Sequence, residues 1–116
     1  MAEGFNKAIV EGNIARIGSC TAGFAAQIEI KTHRWDSQTK TSKESKEYVW
    51  CVVAGKNGEF FAKDATVGAF VRIDGQLRQH EVTIDAKPYR LTCVEASFGG
   101  AHVMLKNRST EQGGRF

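Results

Sequence analysis

Two stretches of the chain alternate between apolar and polar residues, which is the pattern of a half-buried β-strand. In Phe24–Trp35 the even-numbered residues are apolar as far as Ile30, and in Tyr48–Ala54 the odd-numbered residues are apolar. The apolar parity of each strand should face a core. Trp35, Tyr48 and Trp50 then fall on the solvent parity of two adjacent strands.

The same kind of pattern predicts five strands and one helix along the chain. Asp36–Glu47 has no apolar residue and is expected to be a long exposed hairpin loop. Short strands with one inserted helix favour a small barrel over a layered α/β fold. We therefore predict an all-β, five-stranded OB-fold barrel over residues 1–105, with one short helix between strands 3 and 4, and a short polar tail over residues 106–116. The predicted strands are Asn6–Arg16, Phe24–Trp35, Tyr48–Ala54, Ala69–His80 and Tyr89–Phe98, and the predicted helix is Asn57–Asp64.

The totals fit one small domain that is free in solution. The chain has 116 residues, of which 41% are hydrophobic and 25% charged. No apolar run reaches membrane-spanning length, and the N-terminus lacks an apolar signal region, so we expect a cytoplasmic protein without a membrane partner. Cys20, Cys51 and Cys93 are odd in number and widely spaced, which argues against a disulfide framework and a zinc knuckle and predicts free thiols.

Residues that could support catalysis are scattered along the chain. His33, His80 and His102 lie far apart, and none has a Cys or carboxylate at the sequence spacing of a metal site or a nucleophile. Lys56 follows a Gly but is not followed by Ser or Thr, so no phosphate-binding loop is indicated. We predict no enzymatic activity, no cofactor, no metal and no small-molecule substrate.

The placement of charge and aromatic residues points to nucleic acid, although a net charge of +3 would not do so alone. Aromatic rings stack on bases whatever their identity, and nearby cations neutralise phosphates. The alternative is that the outward aromatics cover a subunit interface or a satellite core. The cations on or beside the parity of Trp35, Tyr48 and Trp50 are Lys31, His33, Arg34, Arg72 and Arg78.

Several segments in order along the chain resemble the bacterial and phage single-stranded DNA-binding protein (SSB) family. The combination of N-K-x-x-x-x-G-N with I-x-G-Q-L-R is the most specific part. The resemblance implies an OB-fold that wraps single-stranded DNA during replication, recombination and repair, usually as a homotetramer. The matching segments are Phe5–Ile14, Phe24–Trp35, Val52–Lys56, Val71–Arg78 and Gly99–Leu105.

The resemblance also assigns individual residues. Trp35 stands where the family has a stacking Trp at the end of the second strand, and Tyr48 where it has another in the third. Ala54 and Val82 depart from the family, which commonly has aromatic residues there. The candidate DNA-binding residues are Lys7, Lys31, His33, Arg34, Trp35, Tyr48, Trp50, Lys56, Arg72 and Arg78.

The C-terminus departs from the family as well. Family members typically end in an acidic, Phe-terminated tip that recruits replication proteins, whereas here Arg115 precedes the terminal Phe116. We expect single-stranded DNA and further copies of the same chain, as a homotetramer or a dimer, to be the partners, at the nucleoid. Two alternatives remain open, namely a primosome-type OB-fold accessory protein and an OB-fold module that binds only protein. The oligomeric state and a replication-protein partner would distinguish the first alternative, and function that survives loss of the outward aromatics would favour the second.

Overall fold

The computed structural model describes residues 4–106, which form a closed barrel in the strand order β1-β2-β3-β5-β4. The prediction of a five-stranded barrel with one short helix between the third and fourth strands is confirmed. No helix in this part of the chain is long and apolar enough to cross a membrane. The elements are β1 Ala8–Cys20, β2 Gly23–Asp36, β3 Thr41–Ala54, α1 Gly55–Asp64, β4 Phe70–Ile84 and β5 Lys87–Leu105.

Strand β5 ends at Leu105. The predicted tail, residues 106–116, lies outside the described residues except for Lys106, which pairs with Asp64 of α1 (Nζ to Oδ1, 3.3 Å).

The barrel interior is filled by apolar side chains from all five strands, and burial of this surface is the main source of stability. Helix α1 closes one end, since Phe61 is buried and packs edge-on against Phe24 with 5.6 Å between ring centroids. The buried residues of this interior cluster are Val10, Ile14, Ala26, Ile28, Cys51, Val53, Phe61, Ala65, Ala69, Val71, Ile73 and Val94.

A second buried cluster lies on the outside of the barrel. Its members from β2 and β3 have the opposite parity to the interior residues of those strands, so they point away from the barrel axis. The cluster is covered by β4 and β5, which form a long hairpin with a two-residue turn at Asp85 and Ala86. Its buried residues are Ala25, Trp50, Val52, Val82 and Cys93.

Strands extend further than the hydrophobic pattern predicted. The segment Asp36–Glu47, expected to be a loop, is mostly strand, because the β2–β3 ladder continues to the pair of Asp36 and Thr41. Only residues 37–40 form the turn. Both faces of this extension are open to solvent, so it carries no apolar alternation that could have indicated a strand. The prediction of an exposed segment was correct, and the prediction of a loop was wrong.

Two glycines of the family-like motifs are required by close strand packing. A Cβ atom on Gly12 would overlap the carbonyl oxygen of Glu29, and one on Gly75 would overlap that of Glu95. Any side chain at either position would force neighbouring strands apart, which explains why these positions carry glycine.

Candidate nucleic-acid interface

The β2–β3 hairpin extends as a two-stranded arm, defined here as residues 31–46. The ladder between β1 and β2 includes β2 only as far as Glu29, so in the described structure the arm strands pair only with each other. Only Asp36 and Ser45 are half-buried, and every other arm residue is exposed. The arm therefore has no core of its own and depends on backbone pairing and on its turn.

Asp36 organises the turn of the arm. Its Oδ1 accepts hydrogen bonds from the backbone N–H of Gln38 (2.9 Å) and of Thr39 (3.4 Å), and Lys43 Nζ lies 3.0 Å from Oδ2. The ion pair with Lys43 and these backbone donors lower the pKa of the Asp36 carboxyl below its usual 3.8. The ionised carboxylate thus holds both strands at the point where the chain reverses.

Trp35 in the arm and Tyr48 at its base share one face with two opposed lysines. This surface, the tryptophan face, consists of the odd-numbered residues of β2 from Glu29 to Trp35 and the even-numbered residues of β3 from Ser42 to Tyr48. Trp35 is 68% exposed and Tyr48 is 52% exposed. The Tyr48 hydroxyl donates a hydrogen bond to Glu29 Oε2 at 3.2 Å, which orients its ring.

Positive charge is concentrated in the arm. Its five lysines and arginines against two carboxylates give a net charge of +3, equal to the formal net charge of the whole chain. Lys31 lies directly opposite Lys46 on the tryptophan face. Like charges in directly opposed positions destabilise a ladder, and a bound anion would relieve that repulsion.

Arg34 does not lie with the aromatic residues. It belongs to the other parity of β2 and faces Lys43 across the ladder. Arg34 therefore lies beside the parity of Trp35 and not on it, and as an exposed residue it adds to the charge of the arm.

Trp50 has the predicted parity but not the predicted exposure. It is only 8% exposed, because the β4–β5 hairpin folds over this side of β3 beyond Tyr48 and buries the ring with Val82 and Cys93. The alternative of a satellite core is the correct one for this residue. A base could stack on Trp50 only if the hairpin moved away.

The two arginines of β4 are engaged in ion pairs on another part of the barrel. Arg72 Nη1 lies 3.2 Å from Glu11 Oε2 of β1, and Arg78 Nε lies 3.2 Å from Glu95 Oε2 of β5. In the strand order β4 adjoins β1 and β5, so neither arginine lies beside β2 or β3.

The remaining two candidates are exposed but separate from the arm. Lys7 precedes β1, and Lys56 lies in the first turn of α1 beside a groove formed with Thr21 and Phe24. The structure therefore unites Lys31, His33, Trp35 and Tyr48 on one surface and leaves these two lysines outside it.

Lys46 is the functional candidate that sequence reasoning undervalued. It falls in the segment Asp36–Glu47 that was expected to be a loop, whereas it lies on β3 with the parity of Tyr48. Continuing the alternation of β3 backwards from Tyr48 would have placed it on the tryptophan face.

The fold is shared with several solved structures. The Plasmodium falciparum SSB in complex with ssDNA superposes with a TM-score of 0.66 at 16% identity, covering 90% of this chain and 97% of that chain. The small single-stranded DNA-binding protein from Streptomyces coelicolor gives 0.58 at 11% identity, covering 84% and 92%. A deletion mutant of the single-stranded DNA binding protein from Thermus aquaticus gives 0.64 at 16% identity, covering 88% and 56%.

The family model is more specific than these structural likenesses. No curated protein matches the chain. The model of the single-strand binding protein family, however, matches residues 5–95, which include β1 to β4, α1 and the first part of β5. The resemblance noted in the sequence is thereby confirmed, and the chain belongs to the single-strand binding protein family.

Proposed function

We propose that this protein binds single-stranded DNA without sequence preference, and that it does so through the tryptophan face of the arm. The observation that carries this proposal is the direct opposition of Lys31 and Lys46 on the same face as two exposed aromatic rings. Membership of the single-strand binding family supports it, as does the likeness of the fold to the Plasmodium falciparum SSB in complex with ssDNA.

The chemistry of the face suits a flexible polyanion that carries aromatic bases. Trp35 lies six residues beyond Glu29, the cross-strand partner of Tyr48, so the two rings are about 20 Å apart along the arm. Bases stack on these two rings, and the lysine pair between them binds the intervening phosphates. His33 adds a polar ring, while Arg34 and Lys43 contribute charge from the other face.

The family consists of DNA-binding proteins without enzymatic activity, so the prediction that the chain is not an enzyme is confirmed. We further propose that the protein protects single strands during replication, recombination and repair, at the nucleoid in the cytoplasm. These roles follow from sequence-independent binding, because each process exposes single strands of arbitrary sequence.

We also propose self-association, as a homotetramer or a dimer. The β1–β2 ladder begins at Asn13, so within residues 4–106 the preceding part of β1 pairs only with β4 and leaves its other edge open. Ile9 in this part is 47% exposed. An open strand edge with an exposed apolar side chain supports pairing with a second copy. Light scattering that gives a monomer mass at micromolar concentration would refute this.

The test of the proposed function is a titration with oligo(dT), followed by tryptophan fluorescence at two salt concentrations. Emission should be quenched as Trp35 stacks on bases, and affinity should fall as salt rises, because phosphate binding releases counterions. Duplex DNA of the same length is the matched control and should bind more weakly. Equal affinity for duplex and single strands, or an affinity that salt does not change, would contradict the proposal.

A further inference from the structure

A cysteine, a histidine and a glutamate form a relay between β1, β4 and β5, away from the arm. Cys20 Sγ lies 3.9 Å from Nδ1 of His80, and Nε2 of the same ring lies 2.9 Å from Oε1 of Glu95. Cys20 and His80 are sixty residues apart in sequence. The pairing of β1 with β4 at Cys20 and Val82 brings the two side chains together. A thiol beside a base that is itself oriented by a third group is the arrangement of an activated nucleophile.

Glu95 determines which ring nitrogen of His80 carries the hydrogen. The Glu95 carboxylate can only accept, so Nε2 of His80 carries the hydrogen and Nδ1 presents its lone pair to Cys20. Arg78 Nε, 3.2 Å from Oε2, holds Glu95 in place from the other side. The side chains of His80 and Glu95 are only 15% and 23% exposed, which favours one orientation of the ring.

We propose that Cys20 is a modification site, a nucleophilic thiol that forms mixed disulfides with small disulfide compounds. The other two cysteines provide an internal contrast. Both are buried, and burial raises the pKa of the Cys93 thiol and raises that of Cys51 to about 12. Cys20 is half-buried at the end of β1, next to the two-residue turn before β2, and has the only thiol that combines access with a base.

The reaction is a thiol–disulfide exchange. His80 Nδ1 takes the proton of the Cys20 thiol, and the sulfur attacks one sulfur of the small disulfide. A bond forms between Cys20 Sγ and that sulfur, while the original S–S bond breaks and its electron pair leaves with the departing thiolate. The proton passes from His80 to that thiolate. Cys20 is oxidised and half of the small disulfide is reduced, so no further reactant is needed.

Modification at this position has a spectroscopic reporter and leaves the arm untouched. Cys20 packs against the second buried cluster, which contains Trp50, so an adduct should change the emission of Trp50. Cys20 pairs with Gly23 at the start of β2, twelve residues from Trp35 and therefore about 40 Å along the strand. Binding of oligo(dT) through the arm is expected to be unchanged by the adduct.

The proposal is tested on the intact chain with Ellman's reagent, an aromatic disulfide, and with oxidised glutathione. We expect one thiol to react fast in the native protein and the other two to react only after unfolding. Mass spectrometry should place the glutathione adduct on Cys20. Cys20→Ser should abolish the fast reaction, whereas the matched variant Cys93→Ser should keep it. His80→Gln should slow the fast reaction by at least about tenfold, because the Gln amide cannot accept the proton of the Cys20 thiol.

Three results would overturn the proposal: no fast thiol in the native protein, a fast thiol that persists in Cys20→Ser, or an unchanged rate in His80→Gln. If circular dichroism shows that His80→Gln does not fold, Glu95→Gln decides, since it keeps a hydrogen-bond acceptor for His80 but removes the charge. That variant should react more slowly than wild type while the emission of unreacted Trp50 stays the same. A rate equal to that of the wild type would contradict a positioning role for Glu95 and the relay with it.

Discussion

The side chain of Asn6 bonds to Leu77 in the way that the backbone of a neighbouring strand would. Its Nδ2 donates to the Leu77 carbonyl oxygen at 2.7 Å, and its Oδ1 accepts from the Leu77 N–H at 2.8 Å. This pair attaches the segment before β1 to β4. Asn13 makes a similar attachment further along, with Nδ2 donating to the Gly68 carbonyl at 3.1 Å. The two asparagines of the N-K-x-x-x-x-G-N motif are thus structural, and they flank Gly12, which close strand packing requires.

Replacing Asn6 by Ala should lower the free energy of unfolding by about 1 kcal/mol, because two hydrogen bonds at an exposed site are lost. Asn6→Asp is the matched control, since it keeps the acceptor for the Leu77 N–H but loses the donor. We expect the stability of Asn6→Asp in urea to be below that of the wild type, because the new carboxylate faces the Leu77 carbonyl. Wild-type stability of Asn6→Ala would show that the pair contributes nothing.

Trp35→Ala should weaken binding of oligo(dT) by roughly 1–3 kcal/mol, the usual contribution of a stacked aromatic residue. The ring is mostly exposed and packs in neither buried cluster, so thermal stability should stay within experimental error. Affinity is measured by filter binding or anisotropy of labelled DNA, since the variant loses its reporter. Unchanged affinity would remove the tryptophan face from the DNA path.

Trp50→Ala should show the reverse behaviour. Truncating a buried Trp leaves a cavity beneath the β4–β5 hairpin and costs about 3–5 kcal/mol of stability. The folded fraction should still bind oligo(dT) with near wild-type affinity, measured at a temperature where circular dichroism shows native protein. A loss of affinity without a loss of stability would mean that the hairpin opens and that Trp50 does stack on DNA.

Trp35 is exposed and Trp50 is buried, and this difference could not be predicted from the hydrophobic pattern. Parity placed Trp35, Tyr48 and Trp50 on the same side of their strands, and the register confirms that placement. Parity cannot tell which part of a surface another segment covers. Trp50 is buried by Val82, a residue more than thirty positions away, and only the length of the β4–β5 hairpin brings the two into contact.

The contact between Cys20 and His80 could not be predicted from local sequence patterns either. The three histidines lacked any ligand or nucleophile spacing in the sequence, and that observation was correct as far as local spacing goes. The partner of His80 lies sixty residues away and reaches it only through the pairing of β1 with β4. The closed barrel itself could be predicted, because strand number and helix position depend on local patterns, whereas contacts across the barrel do not.

The opposed lysines of the arm should act independently on the salt dependence of binding. Lys31→Gln and Lys46→Gln should each reduce the slope of log affinity against log salt by about 0.7, the value for one phosphate of a single strand. Lys63→Gln is the matched control, since Lys63 lies on α1 with its Nζ 5.0 Å from the centre of the Phe60 ring, away from the arm. If Lys31→Gln and Lys46→Gln gave the same salt slope as Lys63→Gln and the wild type, the lysine pair would not contact phosphate.

The turn of the arm should come apart in acid, and Asp36 sets the pH at which it does. The pKa of this carboxyl is lowered in the folded arm, so its contacts stabilise the turn above the unfolded value of 3.8 and are lost as pH falls through the lower folded value. The backbone N–H signals of Gln38 and Thr39 should therefore shift together in NMR spectra, with a midpoint below 3.8.

Asp36→Asn separates the charge of this carboxyl from its geometry. The Asn side chain keeps an oxygen that can accept from the Gln38 N–H, but it cannot ionise or attract Lys43. In this variant the two amide signals should no longer titrate, and Lys43 should gain freedom as its ion pair is lost. Because the carboxylate no longer offsets one of the five arm cations, affinity for oligo(dT) should rise slightly and its salt dependence should steepen. A midpoint at or above 3.8 in the wild type, or titration that persists in Asp36→Asn, would show that another group controls the turn.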